Sequence, residues 1–405
     1  MRKFHFGIRR FAAVIIGLVF FVAGVLKIMD PVGAGLIVEE YFKFFGVAGL
    51  TPIAKPFAFV LSLIEALTGI ALITGVFRKL SAIVASILIC IFTIVTLILW
   101  IKNPEMDCGC FGEAIHLTHG QTFMKNVILL ILALIAFLPF REFGQHKGHK
   151  RVAFWILAMS VLAMGIYSLM YIPVMDFTPF DLSSRLKAAL DPNMAPPQEE
   201  RFVTTFIYEK NGQEGVFTLD NLPDSTWTYV RTETVEKQMN IPTDDFPELA
   251  FRDAEGNYAD SLAIGRKVMV VSAYAPEKVS DKRWGEISAL LANAQNNEFT
   301  PLLLLASPQG EADKVIPAAY SDLLANAYYS DYKTLVSLNR SNGGATYFNS
   351  GDLIEKWAAR SLPSSKDVEE LAMKDTTDLT ITSSTKGRLA FQAFFLYSVA
   401  ILLLV

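Results

Sequence analysis

Apolar residues in this chain gather into long unbroken runs, with the polar residues crowded between them. The runs lie at 10–29, 57–77, 80–101, 123–140, 152–172 and 389–405. Each can bridge a hydrocarbon layer as a helix, the last being the shortest. A strand reading fails for them, because an open strand in lipid leaves its backbone N–H and C=O groups without partners. The first run follows Arg2, Lys3, Arg9 and Arg10, as a signal core would. It is too long for one, however, and ends in Lys27-Ile28-Met29-Asp30-Pro31, a poor cleavage site. It is therefore predicted to be a retained span.

Charge in the short loops orients the spans. Arg2, Lys3, Arg9 and Arg10 precede the first span, and Arg78 and Lys79 separate the second from the third. Arg141, Lys147, Lys150 and Arg151 separate the fourth from the fifth. Alternating spans put these clusters on one side, which the positive-inside rule makes cytoplasmic. Loops 30–56 and 102–122, together with 173–388, then face the periplasm or cell exterior.

The 173–388 region is polar and large enough for a compact domain. Segments 202–208 and 215–219 flank Glu209-Lys210-Asn211-Gly212 and predict a hairpin. Buried strands are predicted at 267–273 and 300–306, an amphipathic helix at 280–294, and a helical stretch at 320–327. A strand at 345–348 and a helix at 352–359 complete the set, and 361–388 reads as a polar tether. Alternating strands and helices imply an α/β layer domain. The expected division is 1–140 membrane bundle, 141–172 basic loop and fifth span, 173–239 linker and hairpin, 240–360 α/β domain, and 361–405 tether and sixth span.

Composition adds limits. Of 405 residues 19% are charged, the net charge is −4, and no arginine-rich face exists, so lipid and not nucleic acid is the expected partner. The spans hold no histidine, which excludes a bis-histidine haem within them. No phosphate-binding glycine loop and no Ser-His-Asp pattern occur.

Three cysteines remain. Cys90, amid Ile and Leu in the third span, reads as a small buried hydrophobe. Cys108 and Cys110 fall in an outward loop, where oxidising conditions prevail. Gly109 gives Cys-Gly-Cys the backbone freedom to close a small strained disulfide, which suits a thiol oxidant or relay. The same pair would serve as a permanent staple, or with His116 and His119 as a zinc site, although Cys-x-Cys is tighter than usual zinc spacing. Glu65 lies about two turns inside the second span, where an unpaired carboxylate is costly. Lys27, near the outer end of the first span, is its expected partner, either bracing the bundle or handling protons.

Three motifs carry a family resemblance: the string from Gly24 through Lys27, Asp30 and Pro31 to Gly33; Glu65 followed by Gly69 and Gly75; and Asp107-Cys108-Gly109-Cys110-Phe111-Gly112. In these the first 140 residues resemble the DoxX and methylamine-utilisation E (MauE) families. The whole arrangement resembles the fused DoxX-family proteins of Bacteroidetes, with which Phe217-Thr218-Leu219-Asp220-Asn221-Leu222-Pro223 is compatible. The resemblance implies a bacterial inner-membrane, redox-associated protein with a four-helix core similar to quinone-linked disulfide-forming enzymes. Segments Asp245-Phe246-Pro247-Glu248-Leu249 and Asp253-Ala254-Glu255-Gly256 resemble the entry to a thioredoxin-like domain. That likeness departs where it matters. Ala273-Tyr274-Ala275-Pro276-Glu277-Lys278 stands where Cys-x-x-Cys belongs, and Asn342-Gly343-Gly344-Ala345 where the cis-proline loop belongs. Such a domain cannot exchange dithiols by itself and is left a docking role.

Two functions follow. In one, Cys108 and Cys110 exchange a disulfide with a periplasmic thiol protein and pass electrons to a quinone in the bundle, without the second cysteine pair such enzymes generally use. In the other, the chain is a non-enzymatic assembly or scaffold subunit of an envelope complex, and the α/β domain binds the partner.

Overall fold

A computed structural model of the protein describes residues 2–138, 148–182, 184–187, 202–210, 213–217, 223, 226–236 and 247–403. Several expected features lie outside the described residues: loop residues Arg141 and Lys147, the hairpin turn Asn211-Gly212, most of the 217–223 string, and Asp245-Phe246.

The first half is helical: α1 (Arg2–Met29), α2 (Pro31–Phe44), α3 (Ala54–Thr74), α4 (Arg78–Lys102), α5 (His119–Phe137) and α6 (Gly148–Met170). All but the short α2 are long and apolar enough to cross a membrane, five helices in all among the described residues, consistent with a multi-pass membrane protein. The central helix is α1. One side buries Ala13, Ile16 and Phe20 against Leu72, Ile89 and Ala133 of α3, α4 and α5. The other buries Phe21, Val25 and Ile28 against Ile70 of α3 and Leu157 and Val161 of α6. Backbone meets backbone where α1 crosses α3: a Cβ on Gly24 would lie 2.5 Å from the Ala66 nitrogen, and one on Gly69 would overlap Phe21.

Arginines close one end of the bundle. Arg9 donates to the Ala136 carbonyl at 3.1 Å, Arg10 to that of Leu72 at 2.6 Å, and Arg78 to that of Gly75 at 2.9 Å. These carbonyls belong to helix C-termini, where a cation meets both a free acceptor and the negative end of the dipole. The loop carrying Cys108 and Cys110 lies at the opposite end, as the helix directions require.

The chain then forms a small antiparallel sheet, β2 (Phe202–Lys210), β3 (Gln213–Phe217) and β4 (Thr228–Glu236), in the order β3-β2-β4; β1 is the short strand Cys110–Glu113. The larger sheet follows, built from β5 (Val268–Ala273), α7 (Asp281–Asn296), β6 (Thr300–Leu305), α8 (Ala312–Val315), β7 (Ala327–Tyr329), α9 (Tyr332–Leu338), β8 (Gly344–Asn349), β9 (Asp352–Trp357) and α10 (Ser365–Met373). Its order is β7-β6-β5-β8-β9. Strands β5, β6 and β7 run parallel, β8 is antiparallel to β5, and β9 antiparallel to β8. Alternate residues of β5 and β6 serve opposite faces: Met269, Val271 and Leu303 pack on Trp284 and Ile287 of α7, and Val268, Val270 and Leu302 on Leu335 and Val336 of α9. With both faces covered, the strands read as unbroken apolar runs.

Three segments differ from the sequence reading. The 352–359 stretch is strand β9, because Ser350 and Gly351 both take positive φ, 53° and 83°, and close a two-residue hairpin turn between Asn349 and Asp352. The 320–327 stretch is 3-10 turns broken at Tyr320, leading into β7. The 361–388 tether is helical: a Ser364–Asp367 capping box starts α10, and α11 (Thr376–Leu403) follows. The sixth span is expected at 389–405, within the 28-residue helix α11; the last two of those residues lie outside the described ones. It lays Phe391, Phe394 and Ile401 on the α1–α3–α6 core.

The two halves meet at α2. Asp30 caps this helix by accepting from the Gly33 N–H at 2.9 Å, with Pro31 in the first turn. Val32 enters the α9 face of the sheet's core. Arg340, just after α9 and 4% exposed, donates to Asp30 Oδ2 from Nε at 3.0 Å and from Nη2 at 2.7 Å, and also pairs with Glu113. Lys356 of β9 pairs with Asp176 at 2.5 Å, holding the segment after α6 to the sheet.

Removing one member of a buried charge group strands the others. Arg340→Met should destabilise the protein by about 3–5 kcal/mol, read as a lower melting temperature in detergent. The triple change Arg340→Met, Asp30→Leu, Glu113→Leu should recover most of that loss.

Candidate functional site

Cys108 and Cys110 sit in the turn between α4 and α5, and both are free thiols in this structure. Cys108 is buried and Cys110 half-buried. Gly109 between them has φ +57°, and a Cβ there would overlap Ile37 of α2, so the turn demands glycine for conformation and for space. The turn is also held from α2 by Tyr41, whose hydroxyl donates to the Cys108 carbonyl at 2.7 Å. Burial pushes the Tyr41 phenol far above its ordinary range, aided by the nearby thiols and Asp107. It therefore acts as a neutral donor.

The first turn of α5 faces Cys108. Thr118 and Gln121 form a capping box that fixes where the helix begins. His119 Nδ1 then lies 2.8 Å from Cys108 Sγ, while its Nε2 meets the Pro104 carbonyl at 3.0 Å. Burial raises the Cys108 thiol above the usual cysteine value; Cys110 and Asp107 push the same way, and Thr122 and Lys125 oppose them. His116 turns elsewhere and meets Asp107 Oδ1 at 3.2 Å. His119 thus meets a cysteine and His116 does not, and no cluster of three or more metal-ligating side chains occurs among the described residues.

Behind the turn lies a cavity of about 340 Å³ among α1, α2, α3, α4 and α5. Cys108 and Cys110 line it, and so do Lys27 and Glu65. Lys27 Nζ pairs with Glu65, which is 2% exposed, and beyond that ion pair neither carboxylate oxygen accepts a hydrogen bond. Asn126 of α5 adds a polar edge, its amide donating to Thr96 at 3.1 Å. Phe20, Phe92 and Leu129 supply apolar wall.

The structure thus brings Lys27, Glu65, Cys108 and Cys110 to one cavity. Cys90 stands apart: expected to be buried, it is exposed on α4. An apolar neighbourhood in a span marks a lipid-facing side as readily as a bundle interior. Three contributions escaped the sequence reading. By spacing His119 reads as a metal ligand, although a histidine opening the helix after Cys-x-Cys is a visible signal. The α2 wall was concealed in a loop, despite its Asp-Pro start. Arg340 gives no local signal.

Residues 7–139 match the family of methylamine utilisation protein MauE. Residues 202–238, which hold the β3-β2-β4 sheet, match a domain of unknown function (DUF8463). No curated protein and no solved structure matches the chain.

Lys27→Met would leave the Glu65 carboxylate buried without a cation, and should cost about 3–5 kcal/mol. The double change Lys27→Met, Glu65→Leu should be much milder. Thermal melting of the detergent-purified variants measures both.

Proposed function

We propose that this protein is a membrane thiol oxidoreductase that takes electrons from a periplasmic protein dithiol at Cys108 and Cys110 and delivers them to a quinone in the bundle. The observation that carries the reading is the shared cavity: Cys108 and Cys110 both line the apolar chamber inside the helices. The family match over 7–139 supports a redox-associated role at the level of that family. Five membrane-length helices, with Arg9, Arg10 and Arg78 at the end opposite the cysteines, support an orientation in which the thiols face the periplasm of a bacterial inner membrane.

The cavity fits a quinone by size and by chemistry. Its volume falls within the range of small-ligand sites. Phe92 and Leu129 can flank a ring, and Lys27 and Asn126 offer N–H donors at a polar edge. Bound there, a quinone supplies a two-electron, two-proton acceptor. The chain's own residues shape that site: α2 closes it through Ile37 and Tyr41, the Lys27–Glu65 pair keeps a fixed polar edge in an apolar wall, and Gly109 lets the thiols approach it.

The soluble sheet supports a thioredoxin-like reading, since β5 and β6 run parallel with β8 and β9 antiparallel beyond them. All three cysteines lie outside it. The loops where thioredoxin chemistry would sit, after β5 and before β8, are turned to the membrane half: Tyr274 donates to the Arg340 carbonyl at 3.1 Å, and Arg340 reaches the Cys108 turn through Glu113. We assign this domain to docking and substrate recruitment. The same contact favours a second reading, a non-enzymatic assembly subunit in which the cysteine turn is only part of a docking platform.

Trapping the redox state of Cys108 and Cys110 in membranes separates the two. A catalytic pair should become oxidised when quinone is added and reduced when a dithiol protein is supplied. Cysteines that never change state and form no mixed disulfide would overturn the oxidoreductase reading. Replacing both with serine should abolish cycling while leaving the melting temperature within a few degrees.

A further inference from the structure

His119 touches Cys108 but plays no part in the reading above. We propose that His119 is the acid–base partner of Cys108, which makes Cys108 the inner sulfur of the exchange and Cys110 the sulfur that meets the partner protein. The proposal rests on the thiol-redox reading and names how its site works.

The tautomer follows from the contacts. A carbonyl only accepts, so the Pro104 oxygen at 3.0 Å requires an N–H on Nε2, and the neutral ring presents an acceptor at Nδ1, 2.8 Å from Sγ. Cys108 needs such help. It is 5% exposed, and burial raises its thiol, so alone it would stay protonated at neutral pH and react slowly. Other groups facing the sulfur do not remove the need: Asp107 and Cys110 from the turn disfavour the thiolate, Lys125 and the Thr122 hydroxyl on α5 favour it, and Tyr41 on α2 holds the backbone. Position adds to the effect, because His119 opens α5 and a thiolate there meets the positive end of that helix. Cys110 is the more exposed thiol.

The exchange then balances. With the site oxidised, a partner thiolate attacks Cys110 Sγ and the Cys110–Cys108 bond breaks. Its electron pair goes to Cys108 Sγ, which takes a proton from His119 Nδ1; the ring, an acceptor there at rest, has first taken up at Nδ1 a proton that the partner dithiol released. The partner's second thiolate attacks the partner sulfur of the mixed disulfide, and the electron pair leaves on Cys110, which takes a proton from water. Two electrons pass from a protein dithiol to the pair, and the two protons gained match the two the partner released to solvent. In reverse, His119 Nδ1 accepts the Cys108 proton and frees the thiolate.

The test is the pH profile of Cys108 alkylation by a small maleimide, in the full chain carrying Cys90→Ala and Cys110→Ser. With His119 present, the reaction should already be fast near neutral pH. His119→Gln should raise the midpoint by at least about one unit and slow the reaction near neutral pH about tenfold or more. The rate at the alkaline limit should be unchanged, which shows that the variant is folded and the thiol still reachable. Superimposable profiles would overturn the proposal. If His119→Gln does not fold, the parent profile decides: reactivity that rises only above about pH 9 is that of an unassisted thiol and overturns it. Alkylation needs no electron acceptor, so it judges the Cys108–His119 pair separately from the oxidoreductase reading, which redox trapping decides.

Discussion

A cation withdrawn from water governs this molecule. Arg340 is buried among protein groups, and its planar guanidinium satisfies Asp30 through two N–H donors while also reaching Glu113. Lysine could not do this, since one compact ammonium lacks the fixed fork. Each partner belongs to a different piece of the fold. Asp30 ends α1 and caps α2, Glu113 ends the strand that begins at Cys110, and Arg340 follows α9. One guanidinium therefore sets the membrane bundle, the cysteine turn and the soluble sheet against each other. The arrangement is not symmetric: burial holds the Glu113 carboxyl above its ordinary range although Arg340 pulls it down. A group raised on folding adds most stability at acid pH and loses it as pH climbs through its folded value. Glu113 is thus the member of the group whose contribution fades as pH rises.

That anchoring gives α2 its importance. A short helix beside a bundle has too little apolar surface to hold itself in place. Here Val32 is buried in the sheet's core, Asp30 is tied to Arg340, and Glu40 meets Lys333 at 2.5 Å on the rim. Ile37 and Tyr41 are consequently held against the cysteine turn, one shaping it by contact at Gly109 and the other by a hydrogen bond. Through α2 the sheet domain shapes the turn that carries the thiols.

The sequence shows some of this and conceals the rest for physical reasons. Long apolar runs announce helices because lipid permits no other open element, and Lys27 with Glu65 stands out because an intramembrane charge needs a partner. Strands β5 and β6 are legible as unbroken apolar runs. Strand β9 is not legible locally, since its register comes from the positive-φ turn at Ser350-Gly351 and not from its own pattern. Helices α10 and the start of α11 are polar enough to read as tether, and only the Ser364–Asp367 spacing hinted otherwise. Cys90 shows the limit of apolar context as a guide to burial. Arg340 was invisible because its partners lie 310 and 227 positions away, a separation no local pattern encodes.

The cavity constrains what the thiols can meet from within. Its one buried carboxylate is already paired with Lys27, the Asn126 amide already donates to Thr96, and Lys125, the other cation in the lining, lies over the Phe111 ring. Phe20, Phe92 and Leu129 favour a ring or chain that is neutral and mostly apolar. A polypeptide is excluded by volume, and a hydrophilic thiol by the cost of leaving water for such walls. In the proposed reading, protein substrates meet the pair from the Cys110 side, and an acceptor that dissolves in lipid meets it from the chamber. The two sulfurs are then unequal by position before any chemistry begins, and the histidine stands beside the inner one.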